Sequence, residues 1–228
     1  MEYLPNGFTL ELCDGGFPLS TDSMLLAHFV KLRKNARVLD LGSGCGTLGL
    51  LLCSRDATCT VTGLELTETA HSAAVANISR NNLEVRLNSI CRDLRDLPIE
   101  FNGRFHCCVS NPPYFSGGPA NQATPLARRD DCCSPEELCR AAAQALQFGG
   151  DFYLVHKPEK LAQLIACGAA AGLETKNLVL IRHKENGPII LILLQMRKGG
   201  KPGLQITEKS LFDSLGEPTA YYREVYHM

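Results

Sequence analysis

Between residues 37 and 195 the sequence alternates short apolar, β-rich runs with stretches of helical character, and this alternation constrains the fold more than any other feature. The runs fall at 37–41, 60–64, 85–90, 105–110, 151–155, 178–181 and 189–195, with helices expected at 48–54, 68–81, 135–147 and 158–171. A β-α-β alternation feeds parallel strands through crossover helices, which predicts an α/β fold: a mostly parallel sheet with helices on both faces. With 45% hydrophobic residues in 228, the chain can bury one sizeable core. Residues 1–35 read as an N-terminal hairpin and helix integral to a domain over 36–228: Phe8 to Leu12 alternate before the turn chemistry of Asp14-Gly15-Gly16, and Thr21-Asp22-Ser23 caps a helix over 24–30. Residues 204–228 show little periodicity and are expected to pack as a final strand or a tail.

A formal net charge of −1 excludes a broadly basic nucleic-acid binder, so a nucleic acid would have to be held by local patches. The candidates are Lys31, Arg33, Lys34 and Arg37, the pair Arg128 and Arg129, and the run Arg197, Lys198 and Lys201; a solvated face is the commoner fate of such charges. The 11 cysteines include no C-x-x-C spacing, which argues against a metal site, and the neighbours Cys107 and Cys108 should point to opposite faces of a strand. The start of the chain lacks a basic and apolar leader, so a reducing, cytoplasmic setting is expected, and the apolar run 189–194 is too short to span a bilayer. A monomer is compatible with all of this.

The first β-run, Val38-Leu39-Asp40-Leu41, leads directly into Gly42-Ser43-Gly44-Cys45-Gly46 and then a leucine-rich helix. A glycine-rich turn between strand and helix exposes backbone N–H groups to a nucleotide-type ligand. Gly44, Gly46 and Gly49 spell G-x-G-x-x-G, with Glu65 some twenty residues on, so an NAD-dependent oxidoreductase is one reading. Asp40 argues against it, because a carboxylate there repels a pyrophosphate, whereas S-adenosyl-L-methionine carries an ammonium and a sulfonium and no phosphate. On the second reading Asp40, Gly42, Ser43 and Gly44 cradle the donor and Glu65 accepts from its ribose hydroxyls beside Leu66. Asp93, beside Leu94, accepts from the adenine amino group, though an acid after a strand often merely caps a helix.

Asn111-Pro112-Pro113-Tyr114 follows the fourth run directly. The lone pair of an amino nitrogen on adenine, or of an amide, is delocalised into the neighbouring π-system. Asn111 and the Pro112 carbonyl can accept its two hydrogens and favour a pyramidal, nucleophilic nitrogen, while Tyr114 offers a face for stacking and Pro113 stiffens the loop. The bland reading is a rigid loop. Together, residues 40–46, Glu65 and 111–114 resemble the class I, Rossmann-like amino-methyltransferases. Residues 17–26, Ala127-Arg128-Arg129-Asp130 and 200–204 are similar to the tRNA adenine-N6 methyltransferases that act beside the anticodon of valine tRNA. The resemblance implies a seven-stranded sheet with an antiparallel last strand, S-adenosyl-L-methionine as cofactor, a flipped tRNA adenine as substrate and phosphate contacts from Lys31, Lys34, Arg128 and Arg129. The release-factor glutamine-amide methyltransferases share the same loop, but usually with a larger N-terminal domain.

Overall fold

A computed structural model of the chain describes residues 1–4, 7–13, 19–113 and 133–226. An eight-stranded sheet carries the fold, with β3 (Arg37–Leu41), β4 (Thr60–Glu65), β5 (Leu87–Cys91), β6 (Phe105–Ser110), β7 (Leu146–His156), β8 (Leu173–Lys184), β9 (Ile189–Lys198) and β10 (Gln205–Phe212) in the order β10-β8-β9-β7-β6-β3-β4-β5. Strands β3 to β7 are parallel, β9 is antiparallel to both neighbours, and β10 runs parallel to β8. The expected count of seven is therefore short by one. Strand β10 adds an edge beyond the antiparallel strand, and its first five residues are exposed, so no buried face marks them in the sequence.

Side-chain alternation divides the core. Val38, Cys107, Val109, Tyr153 and Val155 face α1 (Thr21–Phe29), α2 (Thr47–Arg55) and α3 (Glu68–Arg80). Leu39, Leu41, Cys108, Phe152 and Leu154 face α4 (Pro135–Ala145) and α5 (Leu161–Ala170). Cys107 and Cys108 thus enter opposite layers, as the strand period requires. Of the described cysteines, seven are buried, while Cys91 is exposed.

Near the start, the two-residue strands β1 (Glu2–Tyr3) and β2 (Thr9–Leu10) pair with each other, so the hairpin closes before Asp14-Gly15-Gly16, which lies outside the described residues. Two asparagines one turn apart, Asn77 on α3 and Asn81 at its C-cap, dock this segment. Asn81 exchanges two hydrogen bonds with the Thr9 backbone at 2.9 and 2.8 Å, and Asn77 exchanges two with Glu11 at 2.8 Å each. The Ser20 side chain, not Thr21, caps α1. The last segment folds as a helix, α6 (Ala220–Tyr226), rather than a strand: the Thr219 hydroxyl caps it by accepting from the Tyr222 N–H at 3.2 Å. Helix α6 lies on α1, where the Tyr226 hydroxyl meets Thr21 Oγ1 at 3.0 Å and Glu224 sits 3.7 Å from His28. Among the described residues no helix is long and apolar enough to cross a membrane.

Candidate active site

The glycine turn hangs from β4. Both the Gly42 and Ser43 N–H groups donate to the Leu64 carbonyl, at 3.0 and 2.9 Å, and the Gly44 N–H donates to Glu65 Oε2 at 2.9 Å. The other Glu65 oxygen accepts from the N–H and hydroxyl of Thr67, each at 2.8 Å, which fixes the carboxylate. Gly42 and Gly44 have φ of 76° and 55°, in the left-handed region that favours glycine, and a Cβ on either would meet nothing within 4 Å. Their backbone therefore borders open space. At Gly63 the opposite holds: a Cβ would lie 2.6 Å from Ser43 Oγ, so glycine lets the turn rest against β4.

Asp40 lies beneath the turn, 1% exposed, with no hydrogen-bond partner for either carboxylate oxygen. Burial, then the like charge of Glu65, pushes its carboxyl up to about 8. Such a group is costly to ionise alone, is relieved by a nearby cation and is further penalised by a phosphate. An open glycine cradle over an orphaned carboxyl fits S-adenosyl-L-methionine and does not fit a pyrophosphate.

Strand β6 pairs with β3 through Val109 and Asp40, and the Ser110 hydroxyl donates to the Leu41 carbonyl at 2.7 Å, so the carboxyl ends of the two strands lie side by side. Asn111 therefore emerges next to the glycine turn. It is half-buried, and its amide nitrogen donates to Ser23 Oγ at 3.0 Å, which leaves Oδ1 as its acceptor. Pro112 is buried and Pro113 half-buried. Tyr114, Arg128 and Arg129 lie outside the described residues.

The remaining expected residues divide. Leu66, 45% exposed, follows Glu65 at the rim. Asp93 closes its own turn: its oxygens accept from the Arg95 N–H at 2.8 Å and from its guanidinium at 2.5 to 3.0 Å, and that bonding holds its carboxyl below the usual range. Leu94 packs against the core. Lys31 and Lys34 are not brought to the site. They lie between α1 and the first residue of β3, at the amino edge of the sheet, whereas the glycine turn leaves the other end of that strand. The four rises of about 3.3 Å along the five residues of β3 put them roughly 13 Å or more from Asn111. Nearness in sequence to the cofactor turn misleads here. Of the other basic run, Arg197 forms a two-point ion pair with Asp151 at 2.8 and 2.9 Å, and Lys198 donates to the Leu146 carbonyl at 2.7 Å.

Two contributors escape sequence reasoning. Ser23 contacts Asn111 from 88 positions away. Asn77, 0% exposed, ties the Cys45 carbonyl of the glycine turn to α3 at 3.0 Å. A signal for Asn77 does exist: with Ala70, Ala74 and Ile78 it falls on the buried stripe of α3, where an amide needs a polar partner.

Residues 19–165 match the methyltransferase small domain. A tRNA1(Val) (adenine(37)-N6)-methyltransferase of Bacteroides fragilis is 30% identical over 174 residues, covering 75% of this chain and 73% of that one. A protein of the same name from Photobacterium profundum is 28% identical over 206 residues, 85% of each chain. The crystal structure of a predicted O-methyltransferase from Agrobacterium tumefaciens matches with a TM-score of 0.77 at 21% identity, covering 91% of this chain and 96% of that one, a likeness of fold. With the cradle, the orphaned carboxyl and the asparagine at the adjoining strand end, these matches agree on one assignment: the chain belongs to the methyltransferase small-domain family.

Proposed function

We propose that this chain is an S-adenosyl-L-methionine-dependent methyltransferase acting on the exocyclic N6 of an adenine in a tRNA anticodon loop, the adenine 37 of valine tRNA for which its relatives are named. The observation that carries the reading is Asn111, its amide nitrogen engaged by Ser23 and its oxygen left to accept, beside an open glycine turn. When bound, the cofactor supplies a methyl group on a positively charged sulfur, with a neutral thioether as leaving group. Gly42, Ser43 and Gly44 line its site, and Asp40 offers the negative charge that a cationic ligand favours. Glu65, fixed by Gly44 and Thr67, keeps lone pairs for ribose hydroxyls, with Leu66, Asp93 and Leu94 beside the adenine.

Asn111 Oδ1 and the Pro112 carbonyl accept the two hydrogens of the target amino group. That draws its lone pair out of the ring and aims it at the methyl carbon, an interaction strongest as the C–N bond forms. One N–H proton leaves after transfer, giving N6-methyladenine. Pro113, Tyr114, Arg128 and Arg129 belong to the substrate side in this reading. An anticodon-loop base is already unpaired, so extruding it costs only a few kcal/mol of unstacking. A tRNA substrate also implies work in the cytoplasm.

The test is mass spectrometry of nucleosides from valine tRNA lacking the modification, incubated with the cofactor and protein. N6-methyladenine should appear with the wild type, and Asn111→Ala should lower its rate by about 100-fold or more while still binding cofactor. A tRNA left unmethylated, or an Asn111→Ala variant of full activity, refutes the proposal.

A further inference from the structure

We propose that Ser23 is a positioning residue for the transfer: its hydrogen bond to the Asn111 amide nitrogen anchors that side chain with its oxygen toward the target amino group. This rests on the methyl-transfer reading above. The two ends of a carboxamide have nearly the same shape, so packing alone selects poorly between them. The two orientations differ chemically. With Oδ1 outward the amide accepts a hydrogen from the substrate; turned over, it sets donors against donors and the nucleophile gains nothing.

Ser23 supplies an anchor for the orientation observed. Its Oγ lies 3.0 Å from Asn111 Nδ2 and accepts from it, which holds the side chain in the rotamer that leaves Oδ1 toward the substrate. Ser23 is itself restrained, at 6% exposure on the first turn of α1. Its N–H donates to Ser20 Oγ at 3.2 Å, and the Ser20 hydroxyl lies 3.3 Å from its Oγ. The same turn is anchored from α6 through Tyr226 and Thr21. The asparagine is thus referred to a helix cap outside its own loop.

The test compares Ser23→Ala, Ser23→Thr, Ser23→Val and Asn111→Ala in steady-state and single-turnover methylation of valine tRNA, with cofactor binding measured alongside. Ser23→Ala should lower kcat roughly 5- to 10-fold, the worth of one hydrogen bond, with cofactor affinity unchanged. Ser23→Thr should exceed its isostere Ser23→Val, which carries the same added methyl without a hydroxyl. Ser23→Ala should cost nothing further in the Asn111→Ala background, because its effect passes through that amide. Unchanged kcat in Ser23→Ala, or a loss of equal size with and without Asn111, overturns the proposal and leaves the function intact. Should Ser23→Ala fail to bind cofactor, the Thr and Val pair decides: equal rates overturn the proposal. A wild-type protein that leaves tRNA unmethylated refutes the functional reading instead.

Discussion

Replacing Asp40 with Asn keeps the shape of the side chain beneath the glycine turn and removes its proton equilibrium. In the folded chain this carboxyl sits at about 8, against an ordinary value of 3.8. Between those two values the native state holds a proton that the unfolded chain has released. Stability from this group is therefore fully present below about pH 4, falls as pH rises toward 8 and is level above. The slope is about 1.4 kcal/mol per pH unit, so from pH 5 to pH 7 wild type loses roughly 3 kcal/mol that Asp40→Asn does not. Urea unfolding of both proteins at the two pH values measures this, and the gap between them should shift by that amount in favour of the variant. Binding experiments give a second readout: a cationic ligand favours ionised Asp40, so wild type should release a proton on binding S-adenosyl-L-methionine and the variant should not. Parallel stability profiles would refute the reasoning, since they would mean that Asp40 titrates as it does in water.

Gly63→Ala should destabilise the protein by about 1–3 kcal/mol and weaken cofactor binding, because the new methyl must displace Ser43 from β4; thermal unfolding and titration calorimetry both matching wild type would contradict the close approach. Asn77→Ala leaves the Cys45 carbonyl and the Glu11 backbone groups without their amide partner. It should cost about 3 kcal/mol in urea unfolding, and a loss below about 1 kcal/mol would show that water replaces the amide without penalty.

Strands β3, β4 and β6 were readable to within a residue: β3 and β6 have the expected bounds and β4 extends one residue to Glu65, whereas β7, β8 and β9 run three to five residues beyond theirs. Boundaries failed where one element passes straight into the next. The expected helix over 135–147 stops at Ala145, since Leu146 already belongs to β7, and the expected helix over 158–171 opens as a 3-10 turn at Pro158–Lys160. Strand β10 falls within the stretch 204–228 where a final strand or a tail was expected, but its bounds, and helix α6, were illegible for different reasons. The strand is an exposed edge without alternation over its first residues, and the helix spans only seven residues, three of them tyrosine, which has no strong helical preference. In the site, the glycine turn and Asn111 are local patterns that a sequence displays. The partnership of Asn111 with Ser23, and the remoteness of Lys31 and Lys34, arise from which end of a strand each residue occupies, and spacing along a chain does not carry that information.

The clasp of α6 on α1 has a temporal side. Thr21 and Tyr226 meet across 205 positions of chain. At 5–20 residues per second a ribosome takes roughly 10 to 40 s to cover that span. Throughout that interval the first turn of α1 lacks its outer brace, so a nascent chain that already has its cofactor cradle still has an unbraced serine behind its asparagine. The brace on this serine is thus made some two hundred residues after the helix it secures.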